Sequence, residues 1–150
     1  MKFSTRIDTD LPADRLFDEI ANFNTLERMM IGRGASVTRI DPSQEPGCGI
    51  GWNIGFDWRG KPRRLRLDVT RYDRPEQLTL AGRSDALDLS VVATVVALSR
   101  VRSRLILETE IRPRNMKARL MLQTAKLGKS QLDRRYERRI VEFVDQMRHG

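Results

Sequence analysis

The chain has 150 residues, of which 39% are hydrophobic and 32% charged, and its formal net charge is +8. That length fits one domain, residues 1–150, able to bury roughly 70% of its unfolded surface. No apolar run approaches the roughly 18–20 residues of a membrane-spanning helix, and the lone Cys48 excludes an internal disulfide and fits a reducing cytoplasm.

The charge is unevenly placed: residues 1–112 carry +2 and residues 113–150 carry +6. The opening residues contain no secretory apolar core, because Arg6, Asp8 and Asp10 interrupt it. Lys2 to Asp8 alternates, with Phe3, Thr5 and Ile7 on one side, and predicts a strand. Asp10-Leu11-Pro12 announces a short helix whose apolar face is Leu16, Phe17 and Ile20. Asn22 to Thr25 breaks it. Asn24 or Thr25 is expected to cap a second short helix carrying Leu26, Met29 and Met30, with Gly32 and Gly34 at its end.

Strands follow closely. Ala35 to Ile40 is the first, and a turn rich in proline and glycine spans Asp41 to Gly49. Ile50, Trp52, Ile54, Phe56 and Trp58 occupy every second position. After a turn at Arg59 to Pro62, Leu65, Leu67 and Val69 alternate with charged residues. Asp73 to Glu76 turns again, and Leu78 and Leu80 open another strand. Leu87 to Ala97 and Ser103 to Ile111 complete the set, joined at Ser99-Arg100. Hairpin-length connections predict an antiparallel sheet with one wet face.

Arg114 to Arg148 lacks proline and reads as one helix, roughly 50 Å long. Ala118, Leu122, Ala125, Leu132, Tyr136, Ile140, Phe143 and Met147 share one face. Pro113 suits its first turn. The apolar stripe keeps phase across Gly128, so the helix is expected to continue there. Met116, Leu120 and Leu127 form a second ridge, expected to pack beneath the short helices. The predicted class is α+β: a curved seven-stranded antiparallel sheet around a long C-terminal helix, with two short helices after the first strand.

That order resembles the START-like superfamily, also called SRPBCC, and its polyketide cyclase/dehydrase-like members. Ile7 to Phe17 looks like the family's strand-then-helix opening. Val69 to Leu78 is similar to its strand-turn-strand segment. The resemblance spans nearly the whole chain and implies a helix-grip fold, in which a curved sheet wraps the last helix around an internal cavity. It also implies binding of lipids, polyketides or other apolar molecules, and in some members cyclisation. It supplies no universal catalytic set, so no catalytic residue is assigned.

Residue direction nominates the cavity lining. Trp52, Ile54, Phe56, Leu65, Leu67 and Leu78 are expected on the concave face, with Leu80, Leu89, Val91, Leu105 and Leu107. Met121, Leu122 and Ala125 would meet them from the helix. Ser103, Thr109, Gln123 and Thr124 are the polar candidates for selectivity. Met29, Met30, Met116 and Met121 suit a deformable mouth.

Other chemistry is thinly provided. His149 is the only histidine and is penultimate, and with one cysteine a His/Cys metal cluster cannot be assembled, so no metal site is expected. Gly47, Gly49 and Gly51 precede a strand rather than a helix, which argues against a dinucleotide fingerprint, and no cofactor is expected. Asp57, Asp68, Asp85 and Asp88 are the carboxylates available for acid–base work, Asp85 and Asp88 being the stronger candidates. Arg64, Arg66, Arg102 and Arg104 should lie on the wet face, where stacking aromatics for single-stranded nucleic acid are missing.

The favoured expectation is a cytoplasmic binding or carrier protein for an apolar small molecule or lipid. A cyclase- or dehydratase-type enzyme for a hydrophobic polyketide-like substrate is the second reading. A basic adaptor for an anionic membrane surface or nucleic acid is the third. If the second ridge is instead exposed, it is expected to meet a membrane or a partner subunit, the latter making a homodimer.

Overall fold

The computed structural model describes residues 1–41, 47–58 and 60–149. The expected turn at Asp41–Gly49 lies partly outside them, as do Arg59 and the side chain of His149. In chain order the elements are β1 (Lys2–Thr9), α1 (Ala13–Ile20), α2 (Phe23–Gly32), β2 (Ser36–Arg39), β3 (Gly51–Trp58) and β4 (Lys61–Asp73). They continue with β5 (Gln77–Arg83), β6 (Leu87–Ala97), β7 (Ser103–Pro113), α3 (Met116–Ala125) and α4 (Lys129–His149). The strands form one antiparallel sheet of order β1-β7-β6-β5-β4-β3-β2. The helix-grip architecture expected from the chain is therefore present.

Register fixes which side chains share the inner face. Trp52 pairs with Leu67, Leu67 with Gly82, Gly82 with Leu89 and Leu89 with Ile111. The next inner row is Val69, Leu80, Val91, Thr109 and Phe3. All eleven strand residues nominated for the cavity thus lie on one face, because side chains alternate with period two. A bulge between Val69 and Arg71 shifts the register, so Tyr72 rather than Arg71 turns inward. Its ring meets Phe17 edge-on, with centroids 5.2 Å apart.

Helix boundaries depart from expectation at their caps. The amide of Thr25 donates to the Asn22 side-chain oxygen, so α2 starts at Phe23, ahead of the expected Asn24 or Thr25 cap. Pro113 is not a helix residue: it ends β7 opposite Leu87. The Asn115 side chain instead accepts from the Ala118 amide at 2.8 Å and opens α3. Between α3 and α4, Lys126–Gly128 forms a single 3₁₀ turn with both flanking residues right-handed, so the rod tightens at Gly128 without breaking. Gly34, at φ 94°, closes α2 in a conformation a Cβ would strain.

Candidate functional site

Exposure of the inner face changes along the sheet. At one end Leu78, Ala93, Val95 and Leu105 are buried, and Leu16, Phe17 and Ile20 of α1 pack against them with Val144 and Met147 of α4. Ser103 is fully buried there, and its hydroxyl donates to the Leu11 carbonyl at 2.6 Å. Toward the other end Leu65, Leu80, Leu89, Val91 and Ile111 are only half-buried. The helix residues on the facing stripe, Met121, Leu122 and Ala125, are half-buried as well. Ala118 is the one fully buried residue of α3. Two apolar surfaces that closed on each other would bury both sides, so sheet and helix part company at this end.

The gap opens into a cavity of about 620 Å³. Phe56, Trp58 and Arg63 of the β3–β4 hairpin border it, with Asp85 in the β5–β6 turn and Lys117 and Met121 on α3. Phe56 and Trp58 are exposed, and the Arg63 guanidinium lies 5.7 Å from the Trp58 ring centroid. The mouth therefore combines apolar walls with three basic residues, Arg63, Arg64 and Lys117, and the Asp85 carboxylate. This polar rim was not foreseen. Arg63 belongs to the inner face through its pairing with Phe56, and the alternation Lys61-Arg63-Leu65 was the available signal.

The fourteen nominated residues fall into three groups. Trp52, Ile54, Leu67, Leu78 and Leu105 are buried in the packed core. Leu65, Leu80, Leu89, Val91, Leu107, Met121, Leu122 and Ala125 are half-buried, and Phe56 stands at the mouth. Trp52 does not present its indole N–H to an inner space: it donates to Glu27 at 2.8 Å, and Glu27 also accepts from Arg39 at 2.5 Å. That half-buried polar bridge under α2 was not anticipated.

Of the polar candidates, Thr109 faces the helix and shares a 2.9 Å hydrogen bond with the Tyr136 hydroxyl. Burial pushes the Tyr136 phenol above its ordinary range, partly offset by that bond. Gln123 and Thr124 are exposed, and Thr124 donates to the Leu120 carbonyl within its own helix. Asp57, Asp68, Asp85 and Asp88, the carboxylates available for acid–base work, do not form a pair with one another. Asp68 bonds Arg66 at 3.1 Å, Asp88 lies near Arg83 and Arg114, and Asp57 is exposed. Among the described residues no group of three His, Cys, Asp or Glu could hold a metal ion.

A wider groove of about 870 Å³ lies on the outer face of β3–β5, lined by Arg64, Arg66, Arg83 and Arg114. Three of these are paired with Asp68 or Asp88. Arg102 and Arg104 are paired with Asp10 and Asp8. The arginines of the wet face are thus largely paired with carboxylates, as solvated surface side chains, rather than free to attract phosphate. No described helix is long and apolar enough to cross a membrane.

No protein-family model matches the chain, and no curated protein matches it in sequence. Solved structures do match. TTHA0849 from Thermus thermophilus superposes with a TM-score of 0.70 at 11% identity, covering 98% of this chain and 97% of that one. The Zhui aromatase/cyclase from Streptomyces sp. R1128 gives 0.61 at 13% identity over 89% and 88% of the two chains. A START superfamily protein from Mycobacterium smegmatis gives 0.54 at 13% identity over 89% and 94%. With strand order, helix placement and these superpositions in agreement, the chain carries the START-like, or SRPBCC, helix-grip fold.

Proposed function

We propose that the protein binds and carries an apolar small molecule or lipid in the space between sheet and α3. Of the nominated residues Phe56 and Met121 line the cavity itself, and in this reading the half-buried Leu65, Leu80, Leu89 and Val91 of the sheet and Leu122 and Ala125 of α3 are the adjoining surfaces that the ligand covers. The observation that carries this reading is the half-burial of both facing surfaces beside a 620 Å³ cavity. Burying ligand surface there contributes about 25 cal/mol per Å² of apolar area. Arg63 and Lys117 at the mouth favour a ligand whose exposed end is anionic or a strong acceptor. The exposed Cys48 thiol suits a reducing cytoplasm.

The Zhui neighbour is an aromatase/cyclase, and a reaction of that type needs an ionisable group within the chamber. Of the four aspartates considered, Asp85 alone borders the cavity, and it is exposed. The carrier reading is preferred for that reason.

The test is to denature the purified protein and identify released apolar compounds by mass spectrometry. In parallel, N-phenyl-1-naphthylamine is titrated against the wild type and Val91→Trp. A released lipid-like compound, and dye binding lost in Val91→Trp, are expected. Absence of any compound together with no dye fluorescence would overturn the proposal.

A further inference from the structure

The second apolar ridge of the C-terminal rod does not pack beneath the short helices. Met116, Leu120 and Leu127 are 65%, 56% and 90% exposed. Leaving three large apolar side chains on one line in water is unfavourable unless a partner covers them.

The charges around the ridge specify the partner. Residues 111–132 contain six basic side chains and no acidic one. Arg112, Arg114 and Lys129 have carboxylate neighbours at Glu110, Asp88 and Asp133. Among the described residues no ion pair holds Lys117, Arg119 or Lys126. On a helical projection these three lie about 80–100° to either side of the ridge. Cations at the flanks of an apolar stripe are placed as in a helix lying in a bilayer interface, apolar side down, with basic side chains reaching the headgroups. A second copy of this chain would bring the same three cations against their counterparts. A nucleic acid would satisfy the cations and leave Leu120 and Leu127 wet.

We infer that the outer ridge of α3 docks on an anionic lipid surface. The stretch 116–127 lies in the interface plane, with Met116, Leu120 and Leu127 inserted and Lys117, Arg119 and Lys126 on acidic headgroups. The ridge points away from the chamber, so this inference does not rest on the chamber being occupied.

The experiment is co-sedimentation of the full chain with vesicles of phosphatidylcholine, with and without phosphatidylserine, across a salt series. Binding is expected only to the anionic vesicles, weakening as salt rises. Lys117→Gln and Lys126→Gln should each weaken it about fivefold. Leu120→Ser with Leu127→Ser should abolish it. Those residues are exposed, so the variant keeps its fold, checked by circular dichroism, and keeps its dye affinity. Val91→Trp should lose the dye and still bind vesicles, which separates this inference from the carrier reading. Equal binding to neutral vesicles or no vesicle binding would overturn it. So would tighter binding to DNA that is indifferent to Leu120 and Leu127, or a dimer that those two substitutions dissolve.

Discussion

Trp52 separates packing from ligand contact. Its side chain is 0% exposed, its indole N–H donates to Glu27, and its ring meets Phe23 edge-on at 5.3 Å. Trp52→Phe removes the donor and part of the ring. A hydrogen bond to a charged acceptor contributes about 1.5–3 kcal/mol. Glu27 keeps Arg39 and some solvent contact, so the low end, about 1.5 kcal/mol, applies. The void left beside Phe23 and Leu67 adds about 1–1.5 kcal/mol. The sum is about 2.5–3 kcal/mol, or a melting temperature lower by about 5–12 °C for a chain of this size. Urea denaturation followed by circular dichroism measures the loss, with Glu27→Gln and the double variant closing a thermodynamic cycle. Dye affinity should change less than about twofold, because Trp52 lies beneath the core rather than along the gap. A variant that keeps its stability and loses the dye would refute this assignment and place Trp52 in the binding surface.

Tyr136→Phe should cost about 1 kcal/mol at neutral pH through the lost Thr109 bond. Burial raises the Tyr136 pKa in the folded state, so its contribution is complete below the unfolded value of 10.0 and is lost as pH rises above it. Alkaline urea titrations should therefore be flatter in Tyr136→Phe, with the raised Tyr72 phenol leaving a residual slope; an unchanged slope would contradict this. Asp18 and Arg74 form a two-pronged pair at 2.7 and 2.8 Å that ties α1 to the β4–β5 turn, and the Arg74 bond holds the Asp18 carboxyl below its ordinary 3.8. Asp18→Asn should be slightly less stable above that pH, the difference closing as pH falls below it and shrinking in salt, since both partners are about half exposed. Ser103→Ala leaves the Leu11 carbonyl without its buried donor and should cost about 1–3 kcal/mol by the same denaturation assay; a loss near zero would mean that water replaces the hydroxyl.

Much of the architecture was legible because it rests on local periodicity. The alternation from Trp52 to Trp58 and from Leu87 to Ala97 assigned an inner face that the register confirms. What failed was decided by single side chains or by elements distant in sequence. Asn22 rather than Asn24 or Thr25 caps α2, and Asn115 rather than Pro113 opens α3, because a cap depends on which oxygen reaches the amide. The bulge at Val69/Arg71 re-aimed Tyr72, and an extra residue in one strand shows only when its partner is present.

The sequence by itself determined the order of elements, the inner face of the sheet, the stripe on the C-terminal rod and the basic character of its first half. Each follows from a repeat of two or of 3.6 residues, or from composition. Only the tertiary structure decided how far that stripe stays on the sheet. It packs tightly at Met147, beside Val144, and stands off at Leu122 and Ala125, while the second ridge at Leu120 and Leu127 is left in water. The physical reason is that periodicity gives a side chain's direction, whereas burial depends on the distance to a surface contributed by strands far along the chain.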